Sequence, residues 1–338
     1  MPYNPAFDGL RALSILAVVF FHCETPWSGG GSIGVDVFFV LSGYLITSLL
    51  VAEHVSGGIQ TGRFYARRAL RLYPTLLLLI AAYVVLAPML WPMENRWLYA
   101  ALGAFYLIDY SLAFWGGSTA LGHTWSLGVE EKFYLLWPLL LPFLLRVRRP
   151  IAWLLVAFVF ITGWRYFVAL RWGWLQAYFP FDTRMSGIVL GAVAALARLK
   201  ISRPAAMIAG AALTICFAVP LMPSLPWYLS TEAVTLEITL AEISAFMVIS
   251  YLAEHGNNRF LASRPMVYIG RLSYGIYIWH FPAVLLIRDT HHQPWWITLS
   301  IVLPFSLVMA MLCLHLVDMP IRRWRKKALP QRCQAVAT

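Results

Sequence analysis

Apolar stretches long enough to cross a bilayer recur along the whole chain, and nothing else narrows its fold so far. A transmembrane helix needs about 20 predominantly apolar residues. Such runs stand near residues 9–25, 33–52, 72–91, 125–145, 151–169, 185–200, 205–223, 233–253, 266–287 and 296–318. The 338 residues are 60% hydrophobic and only 12% charged, with a mean hydropathy of +0.70. A soluble chain of ordinary composition carries about 25% charged residues. The pattern therefore predicts an all-α, polytopic membrane protein.

The first run could be mistaken for a signal peptide. However, Arg11 sits at the edge of the apolar run, no convincing small-residue cleavage site follows, and further spans come next. The segment reads as a retained first helix. The four cysteines, Cys23, Cys216, Cys313 and Cys333, lack metal or redox spacing and read as small apolar fillers. A net charge of +11 could suggest nucleic acid, but the basic residues lie beside apolar runs, as juxtamembrane residues do.

Charge also predicts an orientation. The basic clusters are Arg63, Arg67, Arg68 and Arg71; Arg146, Arg148 and Arg149; Arg198, Lys200 and Arg203; Arg259, Arg264 and Arg271; and a tail with Arg322, Arg323, Arg325, Lys326, Lys327 and Arg332. The aromatic stretch 97–115 is interrupted by Asp109 and ends in two glycines. If it does not cross, every cluster falls on one side, which is the cytoplasmic side by the positive-inside rule. The expectation is ten spans with both termini cytoplasmic, and 97–121 as an outer-face or re-entrant segment. A membrane domain over 1–320 would be followed by a basic cytoplasmic tail, 321–338.

Against this background the polar residues inside the spans are conspicuous. In "RALSILAVVFFH" (11–22) an arginine opens an apolar run and a histidine closes it. On a helix, eleven positions turn about 20° past three full turns and rise about 16 Å, so Arg11 and His22 share a face, with Asp8 one turn before. With the orientation above, Asp36, His123, Ser126, Glu130, Glu131, Lys132, Asp182, Arg184 and His280 share the outer depth of His22. Each has an ordinary explanation: Asp36 as a helix cap, Glu130 and Glu131 as first-turn acids, His280 as an interfacial residue. Together they read as a site, because ionisable groups at membrane depth are expensive and face a cavity or a partner. On the inner side, "RFYARRALRLYP" (63–74) places Arg67, Arg68 and Arg71 within one turn. These arginines either touch anionic headgroups or clamp a phosphorylated ligand, with Arg68 and Arg71 the best pair for a diphosphate.

"FDGLRALSILAVVFFH", "GVDVFFVLSGYLIT", "RFYARRALRLYP", "HTWSLGVEEKFYLLWP" and "IGRLSYGIYIWHFP", in this order, resemble the acyltransferase type 3 family of membrane O-acyltransferases, over essentially the whole chain. That resemblance implies a ten-helix enzyme of the bacterial cytoplasmic (inner) membrane. It would take an acyl group, commonly acetyl, from cytoplasmic acyl-CoA and pass it to a hydroxyl of an extracytoplasmic or lipid-linked glycan such as O-antigen, exopolysaccharide or peptidoglycan. The family's Arg-x10-His motif falls on Arg11 and His22, with the histidine regarded as catalytic. Its Arg-x-x-Arg motif falls on Arg68 and Arg71, implicated with the donor, and its acidic pair on Glu130 and Glu131. Some members carry an additional C-terminal hydrolase-like domain. The chain here stops about twenty residues after its last span, so the expectation is open between a protein that acts alone, one with a separate periplasmic partner, and one with a smaller acceptor.

From the residues, the donor's phosphates would dock at Arg68, Arg71 and Arg67, with Arg11 either along the donor's path or paired with Asp8. His22 would act either as general base on the acceptor hydroxyl or as a nucleophile forming an acyl-imidazole. Asp36 or Glu130 would orient its ring, and His123, Glu131, His280, Asp182 and Arg184 would meet the acceptor. No metal and no nucleic acid are expected. The rival reading is a glycolipid transporter or flippase, which would share the polar seam; the lack of a detectable inverted repeat argues against it.

Overall fold

A computed structural model describes residues 3–118, 120–218, 233–256 and 258–328, and every regular element among them is helical. The basic tail from 329, and the end of the run expected at 205–223, lie outside the described residues. The elements are α1 (Pro5–His22), α2 (Ile33–Val55), α3 (Thr61–Leu90), α4 (Arg96–Ala104), α5 (Ile108–Phe114), α6 (Trp125–Leu144) and α7 (Pro150–Arg171). Two short helices, α8 (Trp174–Tyr178) and α9 (Phe181–Arg184), lead into α10 (Ser186–Ala197) and α11 (Arg203–Ala218). The chain closes with α12 (Ile238–His255), α13 (Arg264–Val284), α14 (Trp295–Leu312) and α15 (Met319–Ala328). A π-turn precedes α12, a second (Leu285–Thr290) extends α13, and a third (Cys313–Asp318) joins α14 to α15.

Among the described residues, six helices are long and apolar enough to cross a membrane: α1, α2, α3, α7, and the continuous segments Val234–His255 and Trp295–Trp324. The expected spans at 125–145 and 266–287 are the 20-residue α6 and the 21-residue α13, which carry charges within their length. Those at 185–200 and 205–223 are represented by α10 and α11, of 12 and 16 described residues. Stretch 97–115 breaks at Tyr106, whose φ is +58°, into α4 and α5. At nine and seven residues, neither has the length to cross. The break is pinned by Lys132 of α6, whose Nζ donates to the Tyr106 carbonyl (2.6 Å) and to both Asp109 oxygens (2.8 and 3.0 Å).

The usual distribution of polarity is inverted. Leu77, Val85, Leu139, Phe143, Val159 and Phe160 are exposed, while Asp36, Arg165, Arg184, Glu237 and Glu242 are buried. A lipid-facing perimeter has no need of polar side chains, and a charge inside finds partners.

The site is positioned by α1 and α13. Asn4 caps α1 by accepting from the Ala6 amide (3.0 Å), and Pro5 occupies the first position, where a missing N–H costs nothing. Two glycines let the neighbouring backbones touch: a Cβ on Gly9 would lie 2.0 Å from the Leu261 carbonyl oxygen, and one on Gly270 would lie 1.8 Å from that of Asp8. The two helices run parallel, since Asp8 meets Arg271 at one end (3.8 Å) and His22 meets His280 towards the other.

Candidate active site

Three histidines from distant parts of the chain converge at the far end of α1. His280 Nε2 stands 3.0 Å from His22 Nδ1. The His123 ring centroid lies 5.7 Å from that of His280, and Phe281 packs against both His22 (4.8 Å) and His123 (5.1 Å). His280 Nδ1 faces the carbonyls of Tyr277 (2.8 Å) and Ile276 (3.2 Å), and His123 Nε2 faces that of Ile278 (3.2 Å). The Tyr277 hydroxyl donates to the His123 carbonyl and shares a 2.7 Å hydrogen bond with Ser126. His123 and His280 are buried and His22 is partly accessible, so His22 is the ring a substrate can reach. Burial, reinforced by the His280 ring, holds His123, in the turn before α6, well below the ordinary imidazole range.

A second cluster lies deeper. Glu130 accepts from Ser42 Oγ (2.6 Å), and Glu131 stands 3.9 Å from Arg68, whose guanidinium stacks 3.7 Å over the Tyr134 ring. Arg11, Arg68 and Arg71 all lie within electrostatic reach of Glu130, and Arg322 adds a further cation beside Arg71. Arg71 is exposed, Arg68 Nε is buried without a hydrogen bond, and Arg11 pairs with Asp8 (2.9 Å). Arg67 is engaged by Glu53 of α2 (2.5 Å).

The third cluster is fully enclosed. Arg184 pairs with Asp36 (2.8 Å) beneath the rings of Tyr178 (4.7 Å), Trp125 (5.3 Å) and Phe39 (5.8 Å). Arg165 contacts Glu242 (3.2 Å), Ser186 (2.8 Å) and Thr239 (2.8 Å). Glu237 is buried nearby with no hydrogen-bond partner for either oxygen.

These positions correct the sequence-based picture of one outer layer. His22, His123 and His280 do come together. Glu130 and Glu131 sit with the arginines instead, because seven and eight residues of helix beyond His123 carry them about 11–12 Å deeper. Asp36 and Glu130 do not orient His22: each is bonded elsewhere, and the His22 ring is hydrogen-bonded to His280. Asp182 accepts from Tyr110 (3.0 Å) and Trp164 (2.7 Å), tying α9 to α5 and α7, and Arg184 is closed off by its aromatic cover. Neither faces the histidines. Arg165, Glu237, Glu242 and Arg288 complete these clusters, and their one signal in the sequence is a charge within or beside an apolar run. Arg288 donates to the His22 carbonyl (2.6 Å) and pairs with Glu24 (3.1 Å).

Comparison with known proteins places the chain. The profile of a family described as an acyltransferase domain matches residues 4–315. O-acetyltransferase OatA of Staphylococcus aureus is 29% identical over 96% of this chain and 58% of its own. Peptidoglycan O-acetyltransferase OatA of Listeria monocytogenes is 31% identical over 95% of this chain and 56% of its own. The chain spans somewhat more than half the length of these relatives. No solved structure matches it.

Proposed function

The chain belongs to this acyltransferase family, and we propose that it passes an acyl group, acetyl in the simplest case, from acyl-CoA at the inner face of a bacterial cytoplasmic membrane to a hydroxyl of an extracytoplasmic or lipid-linked glycan. The observation that carries this reading is the polarity of α1. One end places Arg11 beside Arg68 and Arg71, and the other, about 16 Å away by helix rise, presents His22 in a cluster of imidazoles. Guanidinium forks suit the phosphates of a coenzyme A, whose thin pantetheine arm suits a path between helices.

His22 then serves either as general base, a role worth about 10²–10⁴-fold, or as nucleophile through an acyl-imidazole. The names of the relatives support acetyl as the group, and the Listeria name supports a peptidoglycan-like acceptor; O-antigen or exopolysaccharide offers the same hydroxyl chemistry.

The test uses the purified chain in lipid vesicles with labelled acetyl-CoA and a soluble glycan acceptor. Label passes to the sugar with the native chain, and His22→Ala abolishes transfer at equal insertion. Full transfer by His22→Ala, or movement of glycan without donor consumption, overturns the proposal.

A further inference from the structure

We propose that His280 is a positioning residue that holds His22 as its Nδ1–H tautomer, leaving Nε2 as the reacting atom; this rests on the acyl-transfer reading of His22. The assignment follows from what each partner is able to do. Carbonyl oxygens only accept, and His280 Nδ1 faces two of them, Tyr277 at 2.8 Å and Ile276 at 3.2 Å. That nitrogen therefore bears the hydrogen. No carboxylate contacts the ring among the described residues, and a neutral imidazole carries a single N–H, so Nε2 of His280 presents a lone pair. The atom opposite it, 3.0 Å away, is His22 Nδ1, which must donate. Nε2 of His22 is left with its lone pair, on the one ring of the cluster that is not buried.

This state suits both versions of the chemistry. As a base, Nε2 takes the acceptor's O–H proton while that oxygen bonds to the thioester carbonyl carbon. The C–S bond breaks, and the proton passes from Nε2 to the departing thiolate sulfur. As a nucleophile, the same Nε2 lone pair attacks the carbonyl carbon and the C–S bond breaks, giving an acyl-imidazolium and the thiolate. The acceptor oxygen then attacks that carbonyl, the C–N bond breaks to return the lone pair to Nε2, and the acceptor's proton goes to the thiolate sulfur. In either case His22 Nδ1–H stays hydrogen-bonded to Nε2 of His280, which does the orienting work of a triad's third member with a neutral group in place of a carboxylate. The other charged and titratable groups facing His22 are His123, from the turn before α6, and Arg288, from the π-turn after α13, with Glu24 paired to Arg288.

The experiment is nitrogen NMR of the full chain in micelles with ¹⁵N-labelled histidine, the His22 signals being identified by their loss in His22→Ala. The expected native pattern is a protonated Nδ1 and a bare Nε2. His280→Leu mixes the two tautomers and lowers kcat by about 10²-fold, the lower end of what a general base supplies, with the KM for acyl-CoA unchanged. His280→Gln, whose side-chain carbonyl accepts from Nδ1–H, recovers at least about tenfold of that loss. A native His22 protonated on Nε2, or an unaltered tautomer in His280→Leu, overturns the proposal, and the native spectrum decides even if His280→Leu fails to fold. Retained transfer in His22→Ala would instead sink the acyl-transfer reading, whatever the tautomer.

Discussion

His22 and His280 stand 258 residues apart in the chain and 3.0 Å apart in the fold, joined nitrogen to nitrogen. The contact exists because α1 and α13 pack in parallel with their backbones touching at Gly270, while Gly9 admits the Leu261 backbone just before α13. A side chain on Gly270 would have to push the helices apart. Gly270→Ala is expected to lower the unfolding temperature in detergent and to reduce transfer in whatever protein remains folded. An unchanged melting profile with full activity would show that the interface yields elsewhere.

The arginines of α3 should separate by role. Arg68→Ala and Arg71→Ala are each expected to raise the KM for acyl-CoA about 10- to 100-fold, the range of a lost hydrogen bond to a charged group (about 1.5–3 kcal/mol). Arg67→Ala should leave that KM unchanged, since Arg67 is held by Glu53. Titrating donor in the vesicle assay measures all three. Equal effects at the three positions would return these residues to a general lipid-facing belt.

The Asp36–Arg184 pair is buried on both sides. Removing one partner leaves the other uncompensated, so Arg184→Leu and Asp36→Leu should each destabilise by about 3–5 kcal/mol. The double replacement should be milder than the sum, because no lone charge remains. Thermal unfolding of the four proteins forms the cycle, and strictly additive losses would argue against a direct pair.

Lys132 gathers the Tyr106 carbonyl and the Asp109 carboxylate beneath the broken segment α4–α5. Lys132→Met should leave the buried Asp109 unpaired, at a cost of about 1–3 kcal/mol. Amide exchange should rise first in 96–114. Uniform exchange across the chain would place the loss elsewhere.

Much of the fold and part of the site were legible in the residues. The apolar runs announced helices, and 3.6-residue geometry placed Arg11 with His22, and Arg68 with Arg71, on shared faces of single helices. Helix rise along α6 by itself separates Glu130 from His123 in depth. Arg165 and Glu242 were visible as charges in apolar runs, but nothing local paired them.

The sequence by itself determined the solvent in which this chain folds, its helical elements and every relation confined to one helix, because periodicity and composition act over a few turns. Tertiary structure alone decided that His280 rather than a carboxylate faces His22, that Asp36 answers Arg184, and that the acidic pair of α6 joins the arginines. Those choices depend on which helices touch and at what height, and inter-helix packing sets both across hundreds of residues.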